Sequence, residues 1–326
     1  MSAISLPKLP AFASSPIAVE VYTGLTAQPK TLSPWLFYDE AGSRLFEEIT
    51  ELPEYYVTRT ERQILAQHAD EIVSQAAGER ELSMIELGAG TATKTGLLLK
   101  AGVRLQGRVV YCPIDVSQTA LDEARSRLEA ELPEVTVEPV VGDYTEGMRQ
   151  NGAARTGRRL VLYIGSSIGN FSPVDAVEVL RGVRAQLSPG DCLLLGVDMV
   201  KDAQTLHAAY DDAAGVTARF NMNVLERINR ELGGNFDPRC FRHQARWNAM
   251  QSRVEMHLES LVAQKVAIRA LDLEVRFGLG ETIHTENSYK FTDERVVSLL
   301  GKAGFRLRQQ WSDEKKWFTV YLAAAK

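Results

Sequence analysis

Between residues 84 and 200, short apolar runs alternate with amphipathic stretches. MIELGAG (84–90), VVYCPIDV (109–116), VTVEPVVGDY (135–144), RLVLYIGSSIGN (159–170) and DCLLLGVDMV (191–200) read as strands. Runs this short and this continuously apolar suit strands buried on both faces. Between them, KTGLLLKAG, SQTALDEARSRLEAEL (117–132) and SPVDAVEVLRGVRAQL (172–187) read as helices. Ser117 is placed as an N-cap, and the last of the three opens Ser-Pro and stops before Pro189-Gly190. The alternation predicts a parallel sheet covered by helices on both sides.

The flanks follow other patterns. The first fifteen or so residues read as a loose arm. SPWLFYDEAGSRLFEEITELPEYY is helical in character, rich in aromatics and interrupted by Pro34 and Pro53. From about Thr60 a helical period sets in, carried by Ile64, Leu65, His68 and Ile72. Residues 201–290 begin with helix-like AQTLHAAYDDAAG and NVLERINREL, then turn to strand-like alternation from SRVEMHLES to NSYKF. DERVVSLLGKAGF reads as a final helix, and RLRQQWSDEKKWFTVYLAAAK as two strands around a polar Ser-Asp-Glu-Lys-Lys turn. Five parallel strands, a helix and a closing hairpin predict an α/β fold with a Rossmann-like class I methyltransferase core. Its sheet is expected to be mostly parallel and seven-stranded, with the C-terminal hairpin strand antiparallel. On this reading 61–200 and 291–326 form the core. Segments 16–60 and 201–290 form a discontinuous α+β substrate-binding domain.

Composition narrows the function classes. Among 326 residues, 37 are basic and 42 acidic, a net charge of −5. That balance argues against nonspecific binding to nucleic acid or anionic membrane. No apolar run approaches the roughly 20 residues of a membrane span, and MSAISLPKLPAFASS lacks the layout of a secretory signal. Cys112 and Cys192 fall in strand-like runs and are expected to be buried thiols; the third cysteine is Cys240. The five histidines show no metal-ligand spacing. These features predict a soluble cytoplasmic protein without a metal. No segment reads as an obligate interface, so a monomer is expected.

The candidate chemistry lies at strand ends. The first strand ends Glu86-Leu87-Gly88-Ala89-Gly90, the second in Asp115, the third in Gly142-Asp143-Tyr144. Paired glycines let the backbone turn sharply beside a ligand. Asp115 can accept both hydroxyls of a ribose, Asp143 an adenine amino group, and Tyr144 offers a stacking face. A dinucleotide site wants a third glycine where this chain has Thr93. Glu86, by contrast, suits the ammonium of S-adenosyl-L-methionine (SAM). The pattern therefore favours SAM over NAD. After the fourth strand, Asn170 can hold an amine with its carbonyl oxygen, or cap the helix that begins near Ser172. Tyr38, Tyr55-Tyr56 and Tyr210 are either half-buried core residues or substrate phenols. The polar run from Gly280 to Lys290 is either a solvated turn or part of a site.

Several local patterns are shared with one family. They are Phe37-Tyr38-Asp39 with Gly42-Ser43, Leu52-Pro53-Glu54-Tyr55-Tyr56, Glu86 to Thr91 with Lys94-Thr95, and Gly165 to Asn170. Further on come Asp198 to Asp202, Ala209 to Asp212, Phe220-Asn221, Asn229 to Leu232, Ala245 to Asn248, and Thr285-Glu286 with Ser288. Over nearly its whole length the chain resembles the histidine Nα-methyltransferases of ergothioneine biosynthesis, which convert L-histidine to its trimethyl betaine, hercynine. The resemblance implies SAM as cofactor and L-histidine as substrate. It implies that Tyr56 and Tyr210 grip the substrate carboxylate, and that Asn170 meets the α-amino group with Tyr38 nearby. Glu286 and Ser288 would contact the imidazole, with Met256 packed against the ring. Gly88, Lys94, Asp115, Asp143 and Tyr144 would contact SAM. Relatives of the fold methylate tryptophan, and a carboxylate at 286 is the physical discriminator. It can accept a hydrogen bond from an imidazole N–H, whereas an indole leaves it poorly matched. Another aromatic amino acid as substrate, a protein or peptide methyltransferase, and a SAM-binding sensor without turnover are the remaining alternatives.

Overall fold

The computed structural model describes residues 15–90, 92–142, 144, 147–148 and 157–326. Asp143 lies outside them. The chain forms two compact units: Val57–Lys201 with Tyr289–Lys326, and the remainder up to Tyr56 with Asp202–Ser288.

The core unit is built on one sheet. Its strand order is Phe305–Ser312, Phe318–Ala325, Cys192–Asp198, Arg158–Tyr163, Leu82–Leu87, Val109–Asp115 and Val135–Val137. From Cys192–Asp198 to Val135–Val137 the neighbours run parallel. Phe318–Ala325 enters antiparallel against Cys192–Asp198, and Phe305–Ser312 pairs antiparallel with it in turn. The edge run read as one strand is broken. Val135–Val137 and the two-residue Val140–Val141 pair with successive parts of Val109–Asp115. Pro139 lies between them and has no N–H to give the ladder.

Burial explains the continuous apolar runs. Every residue of Cys192–Asp198 and Phe318–Ala325 is buried. On one face Val161, Leu193 and Leu195 join Leu180 and Val183 of helix Pro173–Ala185 and Val296 and Leu300 of helix Asp293–Lys302. Ser117 and Ser172 cap their helices, accepting from the backbone N–H of Ala120 and Asp175. The long helix begins at Tyr56, about one turn before the helical period becomes visible, and runs to Ala77. Strand order reverses between Leu82–Leu87 and Arg158–Tyr163. Their carboxyl ends therefore form the topological switch point where open α/β sheets take ligands.

The second unit has a sheet ordered Lys30–Thr31, Thr282–Tyr289, Arg253–Ser260 and Phe241–Asn248, and a separate hairpin of Gln264–Ile268 with Leu273–Phe277. Helix Val216–Leu232 lies against the strands Phe241–Asn248 and Arg253–Ser260 and buries Phe220, Asn221, Val224 and Ile228. Strand Phe241–Asn248 was not predicted. Its buried positions, Phe241 and Ala245, are four apart, because the inward position between them carries a polar His243. Among the described residues no helix is long and apolar enough to cross a membrane. Cys112 and Cys192 are buried free thiols.

Candidate active site

The turn after the first core strand is held from the neighbouring strand. Gly88 N–H donates to the Ile114 carbonyl at 2.9 Å, and Gly90 N–H to Asp115 Oδ2 at 2.9 Å. Asp115 Oδ1 accepts the Ser117 N–H at 2.9 Å. One carboxylate thus fixes both the glycine turn and the start of the next helix. Each oxygen still has a lone pair for a hydroxyl. Gly88 has a φ of 69°, and a Cβ there would meet the Tyr144 hydroxyl at 3.0 Å. Only glycine meets both conditions without strain. The Tyr144 ring lies edge-on to Tyr163 with centroids 5.3 Å apart. Burial, reinforced by the Asp115 charge, pushes the Tyr144 phenol up to about 12, so it stays neutral at physiological pH.

Glu86 is buried beneath this turn. Its Oε2 accepts from the Thr95 hydroxyl at 2.6 Å and from the Tyr111 hydroxyl. Burial raises its carboxyl to about 7 despite both bonds. A carboxylate so destabilised gains from an incoming cation.

Lys94 has a partner that sequence reasoning missed. Its Nζ lies 2.5 Å from Glu61 Oε2. Glu61 is fully buried and also accepts the Gly165 N–H at 2.9 and 3.0 Å. A single side chain from helix Tyr56–Ala77 therefore ties the loop after the first strand to the loop after the fourth. Nothing local marks Glu61, which sits among other polar residues of a long helix.

The loop after the fourth strand is strained. Gly165 and Ser166 have φ of 76° and 62°. For serine that conformation costs about 1–2 kcal/mol, and it is held by an Asp198 N–H to Ser166 Oγ bond of 2.9 Å. Asn170 closes the short 3-10 turn Ser167–Asn170. The following helix is capped by Ser172 instead, so capping does not account for Asn170. Its side chain has no hydrogen-bond partner among the described residues.

Five of the other predicted residues lie in the second unit, with Tyr56 at its boundary. The Tyr210 and Ser288 hydroxyls are 2.7 Å apart and buried. Tyr56 is 2% exposed and opens its helix. Tyr38 is 37% exposed, edge-on to Phe46 and Phe220 at 5.7 and 5.8 Å. Phe46, not among the candidates, lies 5.9 Å from Phe220, so three rings form one aromatic wall. Met256 is buried, and its carbonyl lies 3.1 Å from the hydroxyl of Thr285, the neighbour of half-buried Glu286. The structure thus joins Tyr210 to Ser288 directly. It sets Glu286 on the strand beside Met256, and keeps Asn170 in the unit that carries Gly88, Lys94, Asp115 and Tyr144.

A doubly wound sheet with a closing antiparallel hairpin, and this glycine–aspartate turn at its switch point, define a class I SAM-dependent methyltransferase. The model of the family described as "Histidine-specific methyltransferase, SAM-dependent" matches residues 17–325. The chain belongs to that family. It is 46% identical over 304 residues to a histidine N-alpha-methyltransferase of Mycolicibacterium smegmatis, covering 93% of each chain. It is 43% identical over 306 residues to the protein of that name from Mycobacterium tuberculosis, covering 94% of each. A Neurospora crassa protein named ergothioneine biosynthesis protein 1 is 30% identical over 300 residues, which is 87% of this chain and 32% of that protein.

The state of Glu86 has a measurable consequence. S-adenosylhomocysteine keeps the ammonium of SAM. Its affinity is expected to rise with pH across the region of the Glu86 pKa, which is about 7 in the free protein. The sign follows from linkage: an ammonium held by Glu86 would favour its ionised form, so binding would release a proton and be helped by raising pH. Glu86→Gln is expected to flatten the rise. Calorimetry in buffers of different ionisation enthalpy reads both effects, and a flat wild-type profile removes Glu86 from the ammonium site.

Proposed function

We infer that the chain transfers methyl groups from SAM to the α-nitrogen of L-histidine, three times, to give hercynine for ergothioneine biosynthesis. The single observation that carries this reading is the family match over residues 17–325, with near-complete overlap with curated histidine Nα-methyltransferases. The side chains present suit the reaction. Bound SAM supplies an electrophilic methyl on a sulfonium, so departure of the thioether needs no acid. Gly88 gives the methionine end close access to the backbone, with Lys94 and Glu86 as its charged partners. Asp115 accepts the ribose hydroxyls, Asp143 the adenine amino group, and the Tyr144 face meets the base.

On the substrate side, Tyr56 and Tyr210 donate to the carboxylate, and Ser288, already 2.7 Å from Tyr210, helps to align it. Glu286 and Ser288 take the imidazole, and Met256 packs on the ring. Asn170 accepts from the α-amino group and directs its lone pair. A free amine of pKa about 8 or above must lose its proton, at about 1.4 kcal/mol per pH unit. Holding the nitrogen at about 3–3.5 Å from the methyl supplies several times that. Asn170 loses its partner once the nitrogen is quaternary. The faces of Tyr38 and Phe171 then suit the cation. The enzyme is taken to work as a cytoplasmic monomer without a metal.

The test is mass spectrometry after separate incubations of the purified chain and SAM with L-histidine and with L-tryptophan. Histidine heavier by three methyl groups is expected. Methylated tryptophan alone overturns the reading of the ring pocket, and no product from either overturns the activity.

A further inference from the structure

A chain of hydrogen bonds runs beneath the residues assigned to the amino acid. His243 Nε2 lies 2.8 Å from the Tyr210 carbonyl oxygen, and His243 Nδ1 lies 2.8 Å from Asn221 Nδ2. Asn221 Nδ2 also donates to the His257 carbonyl at 3.1 Å. Asn221 Oδ1 accepts from the Thr285 hydroxyl at 2.8 Å, and that hydroxyl lies 3.1 Å from the Met256 carbonyl.

The partners dictate the protons. A carbonyl oxygen only accepts, so His243 Nε2 carries the hydrogen. The amide end of Asn221 that faces the His257 carbonyl must be its nitrogen, since a flip would set oxygen against oxygen. Both amide hydrogens are then committed, and His243 Nδ1 is the unprotonated acceptor. The arrangement requires a neutral imidazole, and burial indeed holds the His243 pKa below its ordinary value. A polar chain of this kind in a buried place is costly when one member is lost, because the others remain desolvated. An apolar side chain at 243 would leave an Asn221 amide hydrogen and the Tyr210 carbonyl without this partner.

The outlets of the chain point to its purpose. It ends on the backbone of Tyr210, on the backbone of Met256 and of its neighbour His257, and on Thr285, the residue before Glu286. We propose that His243, Asn221 and Thr285 are positioning residues that set the backbone from which Tyr210, Met256 and Glu286 reach the amino-acid substrate. The proposal rests on the reading of the chain as a histidine methyltransferase. None of the three residues is required to touch substrate.

The test compares Thr285→Val, which keeps the shape and removes the hydroxyl, with Thr285→Ser, which keeps the hydroxyl, and with Asn221→Ala. Steady-state kinetics are run on the full chain with SAM and L-histidine varied in turn. Thr285→Val and Asn221→Ala are expected to raise KM for L-histidine about tenfold or more, with KM for SAM within about twofold of wild type. Thr285→Ser is expected to stay within about threefold on both. An unmoved histidine KM, an equal rise for both substrates, or a serine variant as impaired as the valine overturns the proposal. If Asn221→Ala does not fold, the Thr285 pair decides alone. Wild type run alongside separates the two levels. A wild type that leaves histidine unmethylated overturns the functional reading and the network with it; an active wild type with unmoved variants overturns only the network.

Discussion

Glu286→Ala is expected to weaken L-histidine binding by about 10- to 150-fold while SAM binding stays within about twofold. The range follows from a hydrogen bond to a charged group, which contributes about 1.5–3 kcal/mol net. Glu286 lies on strand Thr282–Tyr289, half-buried, between buried Thr285 and Ser288. On the proposed reading, a carboxylate held there would accept a hydrogen bond from an imidazole N–H. Gly88, Lys94 and Asp115, the residues proposed to contact SAM, belong to the core unit, whereas Glu286 belongs to the other. The same substitution should narrow the preference for histidine over tryptophan, because the indole no longer faces an unmatched carboxylate. Calorimetric titration of L-histidine and L-tryptophan into the S-adenosylhomocysteine complex reads both effects. Matched losses for histidine and cofactor would remove Glu286 from the ring site.

Asp198→Asn is expected to cost about 3–5 kcal/mol of stability, the usual penalty for breaking a buried ion pair. Asp198 Oδ2 lies 2.8 Å from Lys290 Nζ, and its Oδ1 2.5 Å from Lys201 Nζ; all three side chains are buried. Asparagine would leave two ammonium groups facing a neutral amide. The triad also sits where the chain passes between units, with Lys201 ending one core segment and Lys290 near the start of the next. Asp198 N–H further supports Ser166 in the loop that leads to Asn170. Burial already lowers Lys201 to about 8. Below that value the folded chain carries the charge at a cost. The unfolded chain binds more protons between about 8 and the ordinary lysine value of about 10.4, so this group makes stability rise with pH across that window. Despite its burial, Asp198 is lowered by Lys290 and Lys201. Its contribution is present above the ordinary aspartate pKa and fades in acid. Guanidinium unfolding of the full chain across pH is the measurement. A variant that unfolds at the wild-type midpoint, with the same slope, would show that the two lysines are not held by this carboxylate.

The fold was legible where one interaction decided local structure. Continuous apolar runs became strands because both faces of the core sheet are covered. Ser117 and Ser172 became caps because their hydroxyls satisfy otherwise unpaired N–H groups. The Gly88–Gly90 turn could be read because only glycine tolerates its backbone angle against Tyr144. Strand Phe241–Asn248 was hidden for the opposite reason. His243 occupies an inward position, and its polarity is compensated by Asn221 and the Tyr210 carbonyl, both remote in sequence. Asn170 is ambiguous on sequence alone, and Ser172, which fills the cap, removes only one of its two readings.

The sequence by itself determined the alternation of strands and helices, the glycine turn with Asp115, and the residue types on which the family membership rests. These are set by neighbours a few positions away, or by side-chain chemistry that needs no partner to be recognised. Only the tertiary structure decided that Glu61 serves both Lys94 and Gly165, that Tyr210 meets Ser288, that Asp198 balances two lysines, and that Asn221 links His243 to Thr285. Apart from the Asp198–Lys201 pair, three positions apart, these are buried or part-buried polar contacts between residues 22 or more positions apart. Burial makes such contacts strong and makes their loss costly, but it leaves no periodic mark on the chain.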